Sequence, residues 1–359
     1  MRIIHPRPSP VVAAMYTLRD LDVDVIIIHG PAGCGFMASR MLEETGVRVV
    51  TTAMKNDDLI FGGSESLVYT LKVAEEKFHP KVMAVVGTCS SMIIGEDMES
   101  SIRQSGVSSK VFAVDCNGCM DNNTEGAIRA IDSAYKAGLV SMEEKLRQSM
   151  LMTAATEMEL RSGMASRDYL SPVKGPTKLL VCRKIARSLK DGKKIACVML
   201  AKKELAYRFS DIFLALRDAQ SVLGGKLFFI GNLRTDVGLP RIRGYAKTIT
   251  DEMSRRGVQL NDVVGGLDEY AIIGPMMREK VDAFGPDLTI IVGIPHGYPG
   301  YSTSDILITD QPRQLANYLA MGYDFAVGEI SSHSMVMNTK SIIPLETGDT
   351  LREITKEFV

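Results

Sequence analysis

The chain has 359 residues, 45% hydrophobic and 24% charged, and its 42 basic and 43 acidic side chains leave a formal net charge of −1. That composition fits a folded protein of two or three domains and excludes a disordered chain and a basic nucleic-acid or membrane-surface protein. The apolar runs, such as Val25 to Ile28, are too short to cross a bilayer. The opening MRIIHPRPSP offers no signal-peptide core before its prolines, so a cytoplasmic location is expected. The six cysteines are then expected as reduced thiols, cluster ligands or core residues, not as disulfides.

Ser9-Pro10 reads as an N-cap with proline at the first helical position. Val11, Val12, Met15, Leu18 and Leu21 follow at helical spacing and predict a helix to about Leu21. Val23 to His29 reads as a buried strand entering a His-Gly-Pro turn. Val47 to Thr51, Val82 to Val86 and Val111 to Val114 are three more strands, separated by helical patterns at about 35–45, 64–78, 95–105 and 124–137. Largely apolar strands alternating with helices imply α/β architecture with a parallel sheet covered on both faces. Residues 141–168 read as one or two long helices carrying Met142, Met150, Met152, Met158 and Met164, either a packed face or the lining of a large apolar ligand. Ser171 to Thr177 is the clearest linker. Lys194 to Leu200 and Lys226 to Ile230 begin a second α/β unit. Leu288 to Ile294 begins a third, which ends in a short helix after Gly348-Asp-Thr350. The expected units are 1–140, 176–284 and 285–359, with a helical segment and linker at 141–175.

Ligands of open parallel sheets bind beyond the carboxyl ends of the strands. The first strand leads into His29-Gly-Pro-Ala-Gly-Cys34-Gly35, the third into Gly87-Thr-Cys89, and the fourth into Asp115-Cys116-Asn-Gly-Cys119. Thiols after three strands of one sheet should converge on one edge. Gly33 and Gly35 beside Cys34 permit close backbone approach, and amides there can donate to cluster sulfides. Small residues also simply pack well in tight turns. Cys116-x-x-Cys119 suits metal or redox chemistry, or a turn. Cys182 and Cys197 read as core. His296, in the glycine-rich loop 293–300, is a candidate functional histidine or a structural one. Arg234, Arg241 and Arg243 lie in a glycine- and proline-bearing loop whose guanidiniums suit a polyanionic ligand. Asp57-Asp58 and Glu96-Asp97 read as helix N-terminal carboxylates. The chain has no GxxxxGK[ST], HExxH or GxSxG, so nothing indicates that it hydrolyses ATP itself.

Four motifs in order, His29-Gly-Pro-x-Gly-Cys34-Gly, Asn56-Asp-Asp-Leu-Ile-Phe-Gly-Gly63, Gly87-Thr-Cys89-Ser-Ser-Met-Ile-Ile-Gly-Glu-Asp97 and Asn123-Thr-Glu-Gly126, resemble nitrogenase component 1 across roughly residues 20–130. With the His5-Pro-Arg-Pro-Ser-Pro10 start and the short chain, the whole pattern is most similar to the reductive cyclases of Ni-sirohydrochlorin a,c-diamide. The resemblance implies three Rossmann-like domains, the first of them binding a cluster near a subunit interface. It implies Cys34 and Cys89 as metal ligands, with Gly33 and Gly35 beside the cofactor. The earliest of the three cluster cysteines of a nitrogenase subunit has no counterpart here. A 4Fe-4S cluster takes four thiolates, and two copies supplying Cys34 and Cys89 offer four. A symmetric cluster bridging a homodimer is the resulting expectation.

The resemblance further implies an ATP-dependent reductase of a nickel tetrapyrrole. Its electrons would come from a separate nitrogenase component 2-like P-loop ATPase that bears its own cluster, and a side-chain amide would close to a lactam. His296 and His29 are the candidate proton donors. Arg234, Arg241 and Arg243 are the candidates for the substrate carboxylates. The competing expectations are a reductase of another tetrapyrrole and a scaffold that assembles a metal cofactor.

Overall fold

In the computed structural model the described residues are 9–163, 177–203, 205–329 and 339–359. They form two compact units: one of Met1–Thr156 with Leu239–Arg241, the other of Glu157–Gly238 with Ile242–Val359.

The first unit opens with α1, Pro10–Asp20. The Val12 N–H donates to Ser9 Oγ at 3.2 Å, so the N-cap expected from sequence is in place. Every residue of α1 is buried, including Arg19, whose charge is met by Asp20 at 2.7 Å. A four-stranded parallel sheet follows: β1 Val25–His29, β2 Arg48–Thr51, β3 Val82–Gly87 and β4 Lys110–Val114. Its order is β2-β1-β3-β4. β1 is buried along its whole length because a neighbour lies on each side and helices lie on its faces. Val25, Ile27, Met83 and Val85 pack with Leu67, Leu71 and Ala74 of α2, Ser64–Phe78. α3, Asn123–Lys136, lies against α1, and only glycine serves at its contact point. A Cβ on Gly126 would stand 2.1 Å from the Pro10 carbonyl oxygen. The Asn123-Thr-Glu-Gly126 motif is therefore explained by helix packing.

In the first unit two short helices escaped the sequence reading: Asn56–Phe61 after β2 and Cys89–Ile93 after β3. Six and five residues are too few to carry a helical hydrophobic period. The pattern at 95–105 resolves to a helix at Met98–Ser105, capped by Asp97, whose Oδ1 accepts the Ser100 N–H at 2.9 Å. A long helix, Met142–Ser162, covers the described part of the 141–168 pattern. Met142 and Met150 are exposed on it and Met158 is buried. Met164, the Ser171–Pro176 part of the linker and the His5–Pro8 start lie outside the described residues.

The second unit corrects the expectation of separate domains at 176–284 and 285–359. Its strands are β5 Lys194–Leu200, β6 Lys226–Gly231, β7 Asp262–Val263, β8 Leu288–Gly293, β9 Ile306–Thr309 and β10 Ala326–Gly328. They make one parallel sheet in the order β10-β9-β8-β5-β6-β7. β8, expected to start a third domain, pairs with β5 from Ile195↔Leu288 to Leu200↔Gly293. The chain builds outward from β5 to β7, returns through a helix at Gly274–Phe284, and resumes on the other side of β5. Both β5 and β8 are apolar enough to be central strands, so they share one core instead of founding two. The parallel α/β class itself stands. Among the described residues no helix is long and apolar enough to cross a membrane.

Candidate functional site

Strand order locates the crevices. In the first sheet the winding reverses between β1 and β3, which is where a doubly wound sheet opens a ligand crevice at its carboxyl edge. The segment after β1 carries Cys34 and the segment after β3 carries Cys89. Both thiols are partly exposed. Burial, and next the Cys89 charge, pushes the Cys34 thiol above its ordinary value, so the two sulfurs share one electrostatic neighbourhood. The loop after β4 adds Cys119, whose Sγ lies 3.8 Å from Cys89 Sγ. Cys119 is exposed, whereas Cys116 is buried and burial pushes its thiol up to about 12. Cys182 and Cys197 are buried core thiols, as expected.

The edge is held by His29, the last residue of β1. Its side chain is fully buried. Nε2 lies 3.3 Å from Glu96 Oε2, and Nδ1 lies 3.2 Å from Thr52 Oγ1. Burial lowers its pKa despite the opposing hydrogen bond and charge of Glu96. A neutral ring that donates from Nε2 and accepts at Nδ1 fits both contacts. The second Glu96 oxygen accepts the Gly63 N–H. Thr88 continues the tie: its hydroxyl donates to the His29 carbonyl at 2.9 Å. A Cβ on Gly30 would come within 2.4 Å of the Thr88 hydroxyl oxygen, so the loops after β1 and β3 meet through a glycine. His29, proposed from sequence as a proton donor, thus has both ring nitrogens engaged in positioning the loops that carry the thiols.

The two glycines beside Cys34 differ. Gly35 has φ +69°, and a Cβ there would stand 3.1 Å from Ile28 Cδ1 and 3.3 Å from Met15 sulfur. A Cβ on Gly33 would meet nothing within 4 Å. Large apolar side chains rim the same loops: Phe36 and Met37 after Cys34, Ile60 and Phe61 after β2, Met92 and Ile93 after Cys89. A concentration of exposed apolar surface of this kind marks a contact face.

A second polar group stands at the reversal of the second sheet, between β5 and β8. Lys202 follows β5, and its Nζ lies 2.6 Å from Glu159 Oε1 in an almost fully buried ion pair. Burial acts to lower the Lys202 pKa, but the Tyr270 and Glu159 charges outweigh it and hold the ammonium firmly protonated. His296 follows β8. Its side chain is 4% exposed and its Nε2 lies 4.0 Å from Glu159 Oε1, beyond hydrogen-bond reach. Both its ring nitrogens are buried with no hydrogen-bond partner among the described residues. Burial, opposed by Glu159, draws its pKa down to about 4.

The three arginines do not form one free cluster. Arg234 binds Asp236 through Nε at 3.0 Å and also through Nη2. Arg241, which counts with the first unit, pairs with Asp22 at 2.9 Å and donates to the Thr45 carbonyl. Arg243 is exposed. Sequence reasoning missed Glu96 as a tie, Cys119 as a neighbour of Cys89, and the Lys202–Glu159 pair. For Lys202 the usable signal was a charge directly after an apolar strand, at the edge where ligands bind.

Among the described residues no group of three or more His, Cys, Asp and Glu side chains is gathered to hold a metal ion by itself. Cys34 and Cys89 are nevertheless the donor type that iron–sulfur clusters take, and both are partly exposed. A parallel α/β chain with thiols at a winding reversal has the build of a nitrogenase-type oxidoreductase. The sequence model for nitrogenase component 1 type oxidoreductases matches residues 9–152.

Along its whole length the chain is similar to proteins named Ni-sirohydrochlorin a,c-diamide reductive cyclase complex, component CfbD. The relative from Methanosarcina acetivorans is 41% identical over 364 residues, covering 99% of this chain and 98% of the relative. Those from Methanothermobacter thermautotrophicus and Methanocaldococcus jannaschii are 40% and 38% identical, covering 99% and 97% of this chain and 100% and 98% of the relatives. The chain belongs to the nitrogenase component 1 family, in the group that carries the CfbD name, and is a nitrogenase-like oxidoreductase.

Proposed function

We propose that this protein is the catalytic component of a reductive cyclase acting on Ni-sirohydrochlorin a,c-diamide, working as a homodimer with an iron–sulfur ATPase partner. The observation that carries the substrate is the identity of about two residues in five, end to end, with relatives bearing that name. Cys34 and Cys89 from two copies would together supply the four thiolates of one 4Fe-4S cluster. When bound, that cluster supplies single electrons to the substrate. The occupant favoured for the apolar rim of Phe36, Met37, Ile60, Phe61, Met92 and Ile93 is the second copy, because the thiols that need completing sit among these side chains.

Reduction of a ring also needs protons and a held substrate. His296 is neutral at physiological pH and its nitrogens have no partner among the described residues, so it suits a hydrogen bond to an incoming ligand. The buried Lys202–Glu159 ion pair stands beside it. His29 keeps the thiol loops in place. Among the arginines, Arg243 is the candidate for a substrate carboxylate. Arg234 and Arg241 would first have to release Asp236 and Asp22.

The test begins with iron and sulfide content and paramagnetic spectra of anaerobically purified protein, for the wild type and the variants Cys34→Ser, Cys89→Ser and Cys116→Ser. One cluster per dimer, lost in the first two variants and kept in the third, supports the shared site. Turnover of the nickel tetrapyrrole with ATP, reductant and the ATPase component then tests the activity. Iron-free protein with all variants alike, or no turnover by the complete system, overturns the reading.

A further inference from the structure

We propose that Cys89 and Cys119 are a redox pair that closes to a disulfide when Cys89 is not engaged by metal. The proposal deepens the cluster reading and rests on it only for what occupies Cys89 otherwise. Two copies of Cys34 and Cys89 complete a four-thiolate site, which leaves Cys119 over. Yet the loop after β4 is built around Cys89. The Gly118 N–H donates to Cys89 Sγ at 3.1 Å, and the Cys119 N–H is pinned by Asn117 Oδ1 at 2.9 Å. A Cβ on Gly118 would stand only 3.1 Å from Cys89 Sγ, so the glycine keeps the loop against the thiol. The result is a 3.8 Å sulfur–sulfur contact between a partly exposed and an exposed cysteine, 30 residues apart in sequence. Closing the bond needs the sulfurs to approach by roughly 1.7 Å more, to the ordinary S–S length. Cys116 does not compete: it is buried and contacts Met120 sulfur instead.

The chemistry balances with a peroxide as oxidant. The more exposed Cys119 sulfur attacks one peroxide oxygen, the O–O bond breaks, and a sulfenic acid forms with release of water. Cys89 sulfur then attacks the Cys119 sulfur, the S–O bond breaks, and a second water leaves. Two thiols lose two electrons and two protons, and one peroxide becomes two waters. A closed disulfide holds Cys89 reversibly, whereas an unguarded thiol proceeds to sulfinic acid and is lost as a ligand.

The experiment uses full-length protein freed of iron by chelation under reducing, anaerobic conditions, then given a few equivalents of hydrogen peroxide. After alkylation and digestion, the expected product is a peptide pair joined through Cys89 and Cys119, two hydrogens lighter, with Cys34 still alkylated. Reconstitution with iron and sulfide should then recover the cluster in the wild type only after a thiol reductant. Cys119→Ser should bind as much iron as the wild type before oxidation. After oxidation it should carry sulfinic acid at Cys89 and fail to recover with reductant.

A Cys34–Cys89 link, a Cys119–Cys119 link between chains, or equal overoxidation of Cys89 in both proteins overturns the proposal. Lower iron in untreated Cys119→Ser also overturns it, because it makes Cys119 a ligand. The iron content before oxidation tests the cluster reading separately. Should the wild type bind no iron, the same peroxide assay on the purified chain still decides the pair.

Discussion

Glu96 meets His29 Nε2 at 3.3 Å with one carboxylate oxygen and accepts the Gly63 N–H with the other. One buried side chain therefore joins the end of β1, the segment after β2 and the segment after β3. These segments carry Cys34, the apolar pair Ile60 and Phe61, and Cys89.

Glu96→Ala leaves a buried ring donor and a buried backbone N–H without their acceptor, a loss of about 1–3 kcal/mol. Glu96→Gln keeps one acceptor and should lose clearly less. Urea unfolding of the iron-free protein checks this through the transition midpoint at unchanged slope.

Gly33 and Gly35 should separate sharply. At Gly35 an alanine must adopt φ +69° against Ile28 and Met15, which costs about 1–2 kcal/mol from the backbone alone. At Gly33 the space is open, and Gly33→Ala should change stability by less than about 0.5 kcal/mol. The melting temperatures of the two variants decide it. A cost at Gly33 seen only in iron-loaded protein would mean that the bound group itself approaches this backbone.

Lys202→Met removes the ammonium that faces the Glu159 carboxylate in a site where both side chains are almost wholly buried. Removing one member of such a pair costs about 3–5 kcal/mol. The double variant Glu159→Gln with Lys202→Met should lose about 1–3 kcal/mol less than the two single losses summed, because the groups touch. Additive losses in a denaturant series would deny the pair its coupling.

His296 sets a pH dependence whose sign follows from its pKa of about 4 in the folded chain against an ordinary 6.5. Between those values the unfolded state binds the proton and the folded state does not. Stability therefore falls as pH falls through that window, by at most about 1.4 kcal/mol per pH unit. His296→Gln removes this contribution. The stability difference between wild type and variant should move by roughly 2 kcal/mol in the variant's favour from pH 7 to pH 5, measured by denaturation at each pH. A pH-independent difference would show that His296 is not held neutral.

The sequence alone determined strands β1 to β6 and β8, though not β7, β9 or β10, together with the parallel class and the carboxyl-edge position of Cys34, Cys89 and His296. Continuous apolar runs, a Ser-Pro cap and glycine turns are local signals that survive without a partner. Tertiary structure decided the rest. β8 joined the sheet of β5 because strand neighbours are chosen by sheet order and mutual burial, and neither leaves a mark in the sequence before Leu288. Glu96 looked like a helix-start carboxylate until packing brought it to His29, 67 residues away. Arg234 and Arg241 looked free because the aspartates that bind them carry no signature of that role. Cys119 became a neighbour of Cys89 only when parallel pairing set β3 beside β4, aligning the loops at their ends. Hydrophobic patterning is written residue by residue, but which polar groups meet at a sheet edge depends on contacts between distant segments that no local pattern encodes.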